Sequence, residues 1–101
     1  MGRSEGARFK LKRKPSEEEL EQTCEAAESA ARRALFAEFD PKKISDFEIA
    51  IETVGDRPLY LSVEISVFSN FPPDRLKDLA DKACDEAFRA AEKKAKELNY
   101  A

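Results

Sequence analysis

The sequence predicts an α+β fold, a two-layer sandwich with two helices on one face of a small, mainly antiparallel sheet, in the order (β)-α-β-β-α. Three observations carry that prediction. The stretch 59–68 places Leu59, Leu61, Val63, Ile65 and Val67 at every second position, the spacing of a strand with one buried face. Apolar stripes at three- and four-residue steps lie on both sides of it, as amphipathic helices require. Prolines at Pro15 and at Pro72-Pro73 stand where both helical patterns begin.

Taken in order, Met1 to Gly6 holds two glycines and a serine and reads as a disordered start or a cloning remnant, leaving residues 7–101 as one α+β domain. Ala7 to Lys14 alternates apolar and basic through Phe9 and Leu11, which suggests a short edge strand guarded by lysines, or else a disordered basic tail. Ser16 and Glu19 have the spacing of a capping box, and Glu17, Glu18, Glu19 and Glu21 sit where a helix dipole favours negative charge. From there Leu20, Cys24, Ala27, Ala31, Leu35 and Phe39 form one stripe, which Pro41 ends. The first helix is therefore predicted over about 16–39.

Asp40 to Asp46 reads as a polar connection, and Phe47, Ile49 and Ile51 open a second strand that runs to Val54. Gly55-Asp56-Arg57-Pro58 is a turn in which Gly55 is free to take positive φ, so the strands on either side form an antiparallel hairpin. The last helix is predicted over about 73–98, lined by Leu76, Leu79, Ala80, Ala83, Ala87, Ala91 and Leu98 and widened by Cys84, Phe88 and Ala95. A right-handed crossover sets the first two strands parallel, with 59–68 between them and antiparallel to both. The helices cover one face. The other face carries Glu48, Glu52, Tyr60, Ser62, Glu64, Ser66 and Phe68, and Arg8, Lys10 and Lys12 are expected to oppose its glutamates across the strands.

Composition narrows function mainly by exclusion. Charged residues make up 39% of the 101 residues, against about 25% in ordinary domains. The net charge of −3 gives no overall field toward nucleic acid or an anionic membrane. No apolar run is long enough to span a bilayer, and the basic N-terminus lacks the apolar segment of a secretory signal, so a cytoplasmic location is expected. Cys24 and Cys84 lack metal-site spacing and read as buried free thiols inside helices. The chain contains no histidine, which removes the commonest general base, metal ligand and partner for a cysteine nucleophile. The glycines are scattered and form no phosphate loop. No enzymatic activity, metal site or cofactor is expected.

Two binding readings remain. Tyr60 and Phe68, with Glu64 between them and help from Phe36 and Phe71, would if exposed seat a protein partner or a second copy of the chain as a homodimer; the alternative is that loops or the N-terminal segment cover them. Alternatively Arg8, Lys10, Lys12, Arg13 and Lys14 would contact RNA through its backbone. The acids on the open face repel phosphate and favour the protein reading.

The pattern also resembles a known group of sequences. Ser16-Glu17-Glu18-Glu19-Leu20 opening an alanine-rich helix, Ile44 to Ile51 leading into the hairpin, Leu61 to Ile65, and Leu79 to Ala91 are similar to an uncharacterised archaeal family, a domain of unknown function. The genes of that family often stand near the gene of the prefoldin beta subunit. The likeness covers residues 16 to about 98. It implies an α+β sandwich in an archaeal cytoplasm, with no known activity and no functional residues to transfer.

Overall fold

The structure, a computed structural model, describes residues 2–37, 42, 44–55, 58–69 and 71–101. The order is β1 (Gly2–Phe9), α1 (Glu17–Ala37), β2 (Ile44–Val54), β3 (Leu59–Ser69) and α2 (Pro73–Glu97). The sheet runs β1-β3-β2, with β3 antiparallel to both neighbours. Fold class, element order and the central place of β3 are as expected. The helix stop at Pro41, the turn residues Asp56 and Arg57, and the strand break at Asn70 lie outside the described residues.

β3 organises the core. Leu59, Leu61, Val63, Ile65 and Val67 are all 0% exposed, and side chains of this kind contribute about 1.5–3 kcal/mol each when fully buried. Both helices present alanine to this layer. Ala27, Ala31, Ala34, Ala80, Ala83, Ala87 and Ala91 share one buried cluster with Leu35, Leu76, Leu79 and Cys84. Alanine has the best helix propensity and no bulk to hold helices and sheet apart.

Helix starts follow their local chemistry. Ser16 N–H donates to Glu19 Oε1 at 2.9 Å, and Glu19 N–H donates to Ser16 Oγ at 3.1 Å, so the capping box is closed. α2 starts at Pro73, whose missing amide hydrogen has no helical partner to lose, while Pro72 O accepts from Arg75 and Leu76. Gly55 takes φ +76° at the hairpin turn, a region open to glycine at little cost.

Two strand boundaries differ from expectation. β1 spans Gly2–Phe9 instead of the basic stretch 7–14, and takes in most of the segment 1–6 expected to be disordered. Its inward positions are Arg3, Glu5, Ala7 and Phe9, all half-buried. Arg3 reconciles polar residues with that face: it pairs with Glu5 beside it and lies 3.1 Å from Asp81 of α2. Its N–H groups are aimed at Glu5, so the Asp81 oxygen is charge-paired without a hydrogen bond. Inward charges of this kind also discourage stray pairing at a sheet edge. β2 begins at Ile44, three residues early, and its register with β3 shifts between Ile44 and Asp46, an irregularity that alternation does not announce.

A second, smaller core closes one end of the molecule. Leu59, Ala95 and Tyr100 are buried together against Phe9, Leu11, Leu20 and Leu98. The chain reaches it through a left-handed residue: Asn99 has φ 63°, Asn99 N–H donates to Lys96 O at 3.1 Å and Tyr100 N–H to Ala95 O at 3.1 Å. These paired bonds make a Schellman cap with asparagine in the usual glycine position.

Candidate functional site

The open face of the sheet is built by strand parity. On β3 the outward residues are Tyr60, Ser62, Glu64, Ser66 and Phe68; on β2 they are Asp46, Glu48, Ala50, Glu52 and Val54; on β1 they are Ser4, Gly6 and Arg8. Among the described residues no element covers them. Tyr60 is 43% exposed, Phe68 52% and Val54 65%. Tyr60 and Phe68 stand about 27 Å apart at ~3.4 Å per residue, and Glu64 lies midway between them.

Register decides what accompanies the aromatics. Val54 and Arg8 flank Tyr60 from the two sides, and Asp46 faces Phe68. The Tyr60 ring lies over Gly6, where any Cβ would collide with it. Glycine therefore gives the ring a seat across the neighbouring strand, a known device for glycines near a sheet edge. The glutamates have quite different neighbours. Glu64 faces Ser4 and Ala50, Glu48 faces Ser66, and Glu52 faces Ser62. Since Ala50 has no reach, a depression of about 160 Å³ opens between Glu48, Ala50, Glu64 and Ser66.

The expected neutralisation by the N-terminal bases does not occur. Arg8 faces Tyr60, and β1 ends before Lys10 and Lys12 can pair with β2 or β3. Strand β1 starts five residues earlier than its basic content suggested, and that shift moves the bases off the sheet. Among the described residues, Glu48, Glu52 and Glu64 have no ion-pair partner. Glu19, Glu28, Glu86, Glu92 and Glu97 have one, whereas Glu17, Glu18, Glu21 and Glu25 of α1 share the lack of one among the described residues.

The candidate RNA-contact residues are dispersed. Arg13 donates through both terminal nitrogens to Glu19, at 2.7 and 2.6 Å, and also to Leu98 O at 2.7 Å. It thereby ties the segment after β1 to the start of α1 and the end of α2, with its guanidinium 6.0 Å from the Tyr100 ring centre. The side-chain bond from Arg13, then the bond from Ser16, holds the Glu19 carboxyl down at about 2. Lys12 N–H donates to Tyr100 O at 2.9 Å. Lys14 lies just before the α1 cap. Arg8 and Lys10 do meet, in a groove of about 450 Å³ beside Phe9, Phe88, Glu92 and Lys96. There Lys96 is paired with Glu92 at 3.0 Å, and Arg8 and Lys10 remain as the groove's two unpaired bases among the described residues.

Other groups are plainly structural. Cys24 and Cys84 are free; Cys84 is buried and Cys24 half-buried. Burial, then the nearby Glu5 charge, pushes the Cys84 thiol up to about 11, and burial raises Cys24 as well. Phe36 packs edge-on against Phe47 with ring centres 5.2 Å apart, and Phe71 also packs on the core, so neither extends the open face. Among the described residues no cluster of three or more His, Cys, Asp or Glu side chains could hold a metal ion. No described helix is long and apolar enough to cross a membrane. Tyr100 escaped the sequence reading because it follows the helical pattern. Val54 was legible, since it continues the outward parity of Glu48, Ala50 and Glu52.

A family model described as "Protein of unknown function (DUF3194)" matches residues 12–94. The chain belongs to the DUF3194 family. The match supports the resemblance read from the helix starts and the hairpin, and the description names no catalytic activity. A search of curated proteins gave no significant match. Two archaeal structures share the fold. A Thermococcus onnurineus crystal structure has TM-score 0.74 and 21% identity, covering 97% of this chain and 95% of that one. The solution structure of the hypothetical protein mth677 from Methanothermobacter thermautotrophicus has TM-score 0.69 and 19% identity, covering 85% and 94%. At these identities the likeness speaks to the fold alone.

Proposed function

We propose that the protein is a non-catalytic interaction module of the archaeal cytoplasm, with the open sheet face as its contact surface. One observation carries this reading: Tyr60, Phe68 and Val54 are exposed together on a face that no described element covers. Exposed apolar side chains on a rigid sheet keep their geometry before binding, so little ordering entropy opposes contact. Aromatic residues also dominate the energy of many interfaces. RNA contact draws less support, because Arg13 is occupied within the fold and carboxylates crowd the face.

Homodimerisation is a second form of the same reading, favoured by a separate observation. β1 and β2 are both edge strands, and β2 carries half-buried Phe47, Ile49 and Ile51 along its inner side. Edge-to-edge pairing would join two sheets and leave the aromatic face open. We keep the prefoldin beta subunit gene, which the resemblance sets nearby, as a proposed genomic neighbour, checked by inspecting the flanking loci.

Two measurements test the proposal. Source-cell extract is passed over immobilised wild-type chain and over Tyr60→Ser/Phe68→Ser, and only proteins retained by the first count. Retention that is equal on both columns counts against the open face. Sedimentation equilibrium decides the homodimer, and a strict monomer at all concentrations rules it out.

A further inference from the structure

The open face of the sheet carries acidic charge with little of the opposite sign beside it among the described residues. Glu48, Glu52 and Glu64 project from adjacent positions on β2 and β3, and the residues directly across from them are serine or alanine. Among the described strand residues Arg8 is the base at this face, and it is displaced toward Tyr60 at one end. Glu64 lies diagonal to both Glu48 and Glu52 across the register, so a cation laid among them is attracted by more than one carboxylate. The depression beside Ala50 has room for a cationic head group. At about 160 Å³ it has the volume of roughly five waters at ~30 Å³ each. Aromatic rings at Tyr60 and Phe68 bracket it along the strand, suited to pack the aliphatic stems of long basic side chains or to stack on guanidinium.

We infer that the open face takes a lysine- or arginine-rich segment of another protein, with one basic side chain set between Glu48 and Glu64 over Ala50. The inference rests on the open face being the contact surface, and adds the partner's chemistry. A second copy of the chain fits poorly. A twofold contact places each patch on itself, and so sets Glu48, Glu52 and Glu64 against their own counterparts. RNA meets the same carboxylates with phosphate. A basic protein segment meets complementary charge, which speeds encounter and selects among partners.

The test uses the full chain, immobilised, and a phage-displayed library of random peptides about a dozen residues long. Lysine and arginine are expected to be enriched over acidic residues among the selected peptides, and binding to fall steeply with salt. Tyr60→Ser/Phe68→Ser and Glu48→Gln/Glu64→Gln should each weaken binding by about tenfold or more. Ala50→Leu, which fills the depression without altering charge or either ring, should weaken it as well. All these positions are on the open face, and circular dichroism confirms that the variants fold. Peptides that need Tyr60 and Phe68 but are not basic would overturn the inferred partner chemistry and leave the contact face standing. A selection yielding no binder, or only binders indifferent to both aromatics, would overturn both. Self-association lost in Tyr60→Ser/Phe68→Ser would replace the basic segment with a second copy, and labelled single-stranded RNA binding lost in that variant would replace it with nucleic acid.

Discussion

Truncating Tyr100 tests whether the last residues of the chain belong to the core. Tyr100 is 0% exposed, and a buried tyrosine removes about 150–250 Å² from water. At about 25 cal/mol per Å² the ring is worth about 4–6 kcal/mol as an upper bound, so Tyr100→Ala should cost about 3–5 kcal/mol. The hydroxyl can be assessed separately. Thr23 Oγ1 donates to Glu19 O at 2.9 Å, which uses its single hydrogen, so in the contact between Tyr100 and Thr23 the tyrosine must donate. Tyr100→Phe leaves the Thr23 hydrogen bonded and should cost about 1 kcal/mol. Thr23→Val leaves a buried O–H without an acceptor and should cost about 1–3 kcal/mol. The double variant should be less destabilised than the sum of the two. Urea unfolding followed by circular dichroism measures all four, and each kcal/mol should lower Tm by about 4–8 °C. Tyr100→Ala within 1 kcal/mol of wild type, or Tyr100→Phe costlier than Thr23→Val, would refute the reasoning.

Three further outcomes are expected. Glu19, lowered from about 4.5 to about 2 by Arg13 and then Ser16, contributes stability that is present above its unfolded value and lost as pH falls through that interval. Acid titration of Glu19→Gln should lack that part of the loss. Cys84, pushed up to about 11 by burial first, stays protonated at mildly alkaline pH. Alkylation followed by mass spectrometry should therefore mark Cys24 first and reach Cys84 only as fast as the chain opens. Gly6→Ala should drive the Tyr60 ring outward with less than about 1 kcal/mol of stability change, because the colliding atoms are the mobile end of a side chain. Faster radical oxidation of Tyr60 would show that movement.

Local signals in the sequence were reliable where one physical cause acts alone. Alternation through Leu59 to Val67, the Ser16–Glu19 capping box and Gly55 at positive φ all appear as read. Misplacement of β1 has a clear source. Arg3 and Glu5 do not look like inward residues, and only the Asp81 carboxylate on a helix some 80 positions away makes them so. Parity alone places Tyr60, Phe68 and the glutamates around them on the outward face. It does not show whether a loop or the N-terminal segment covers that face, and only the structure shows the two rings exposed. The glutamates' lack of neutralising partners was not visible either, because register across strands is set by tertiary packing. Tyr100 was hidden for the same reason: its burial depends on Thr23, Arg13 and Lys12, which reach it from the other end of the chain.

Hydroxyl-radical footprinting of the chain, purified and then in source-cell extract, tests the contact face most directly. Tyr60 and Phe68 should oxidise readily in the purified protein and be protected in extract, with Tyr100 unmodified in both. Equal oxidation of Tyr60 and Phe68 in the two conditions would contradict a role for the open face.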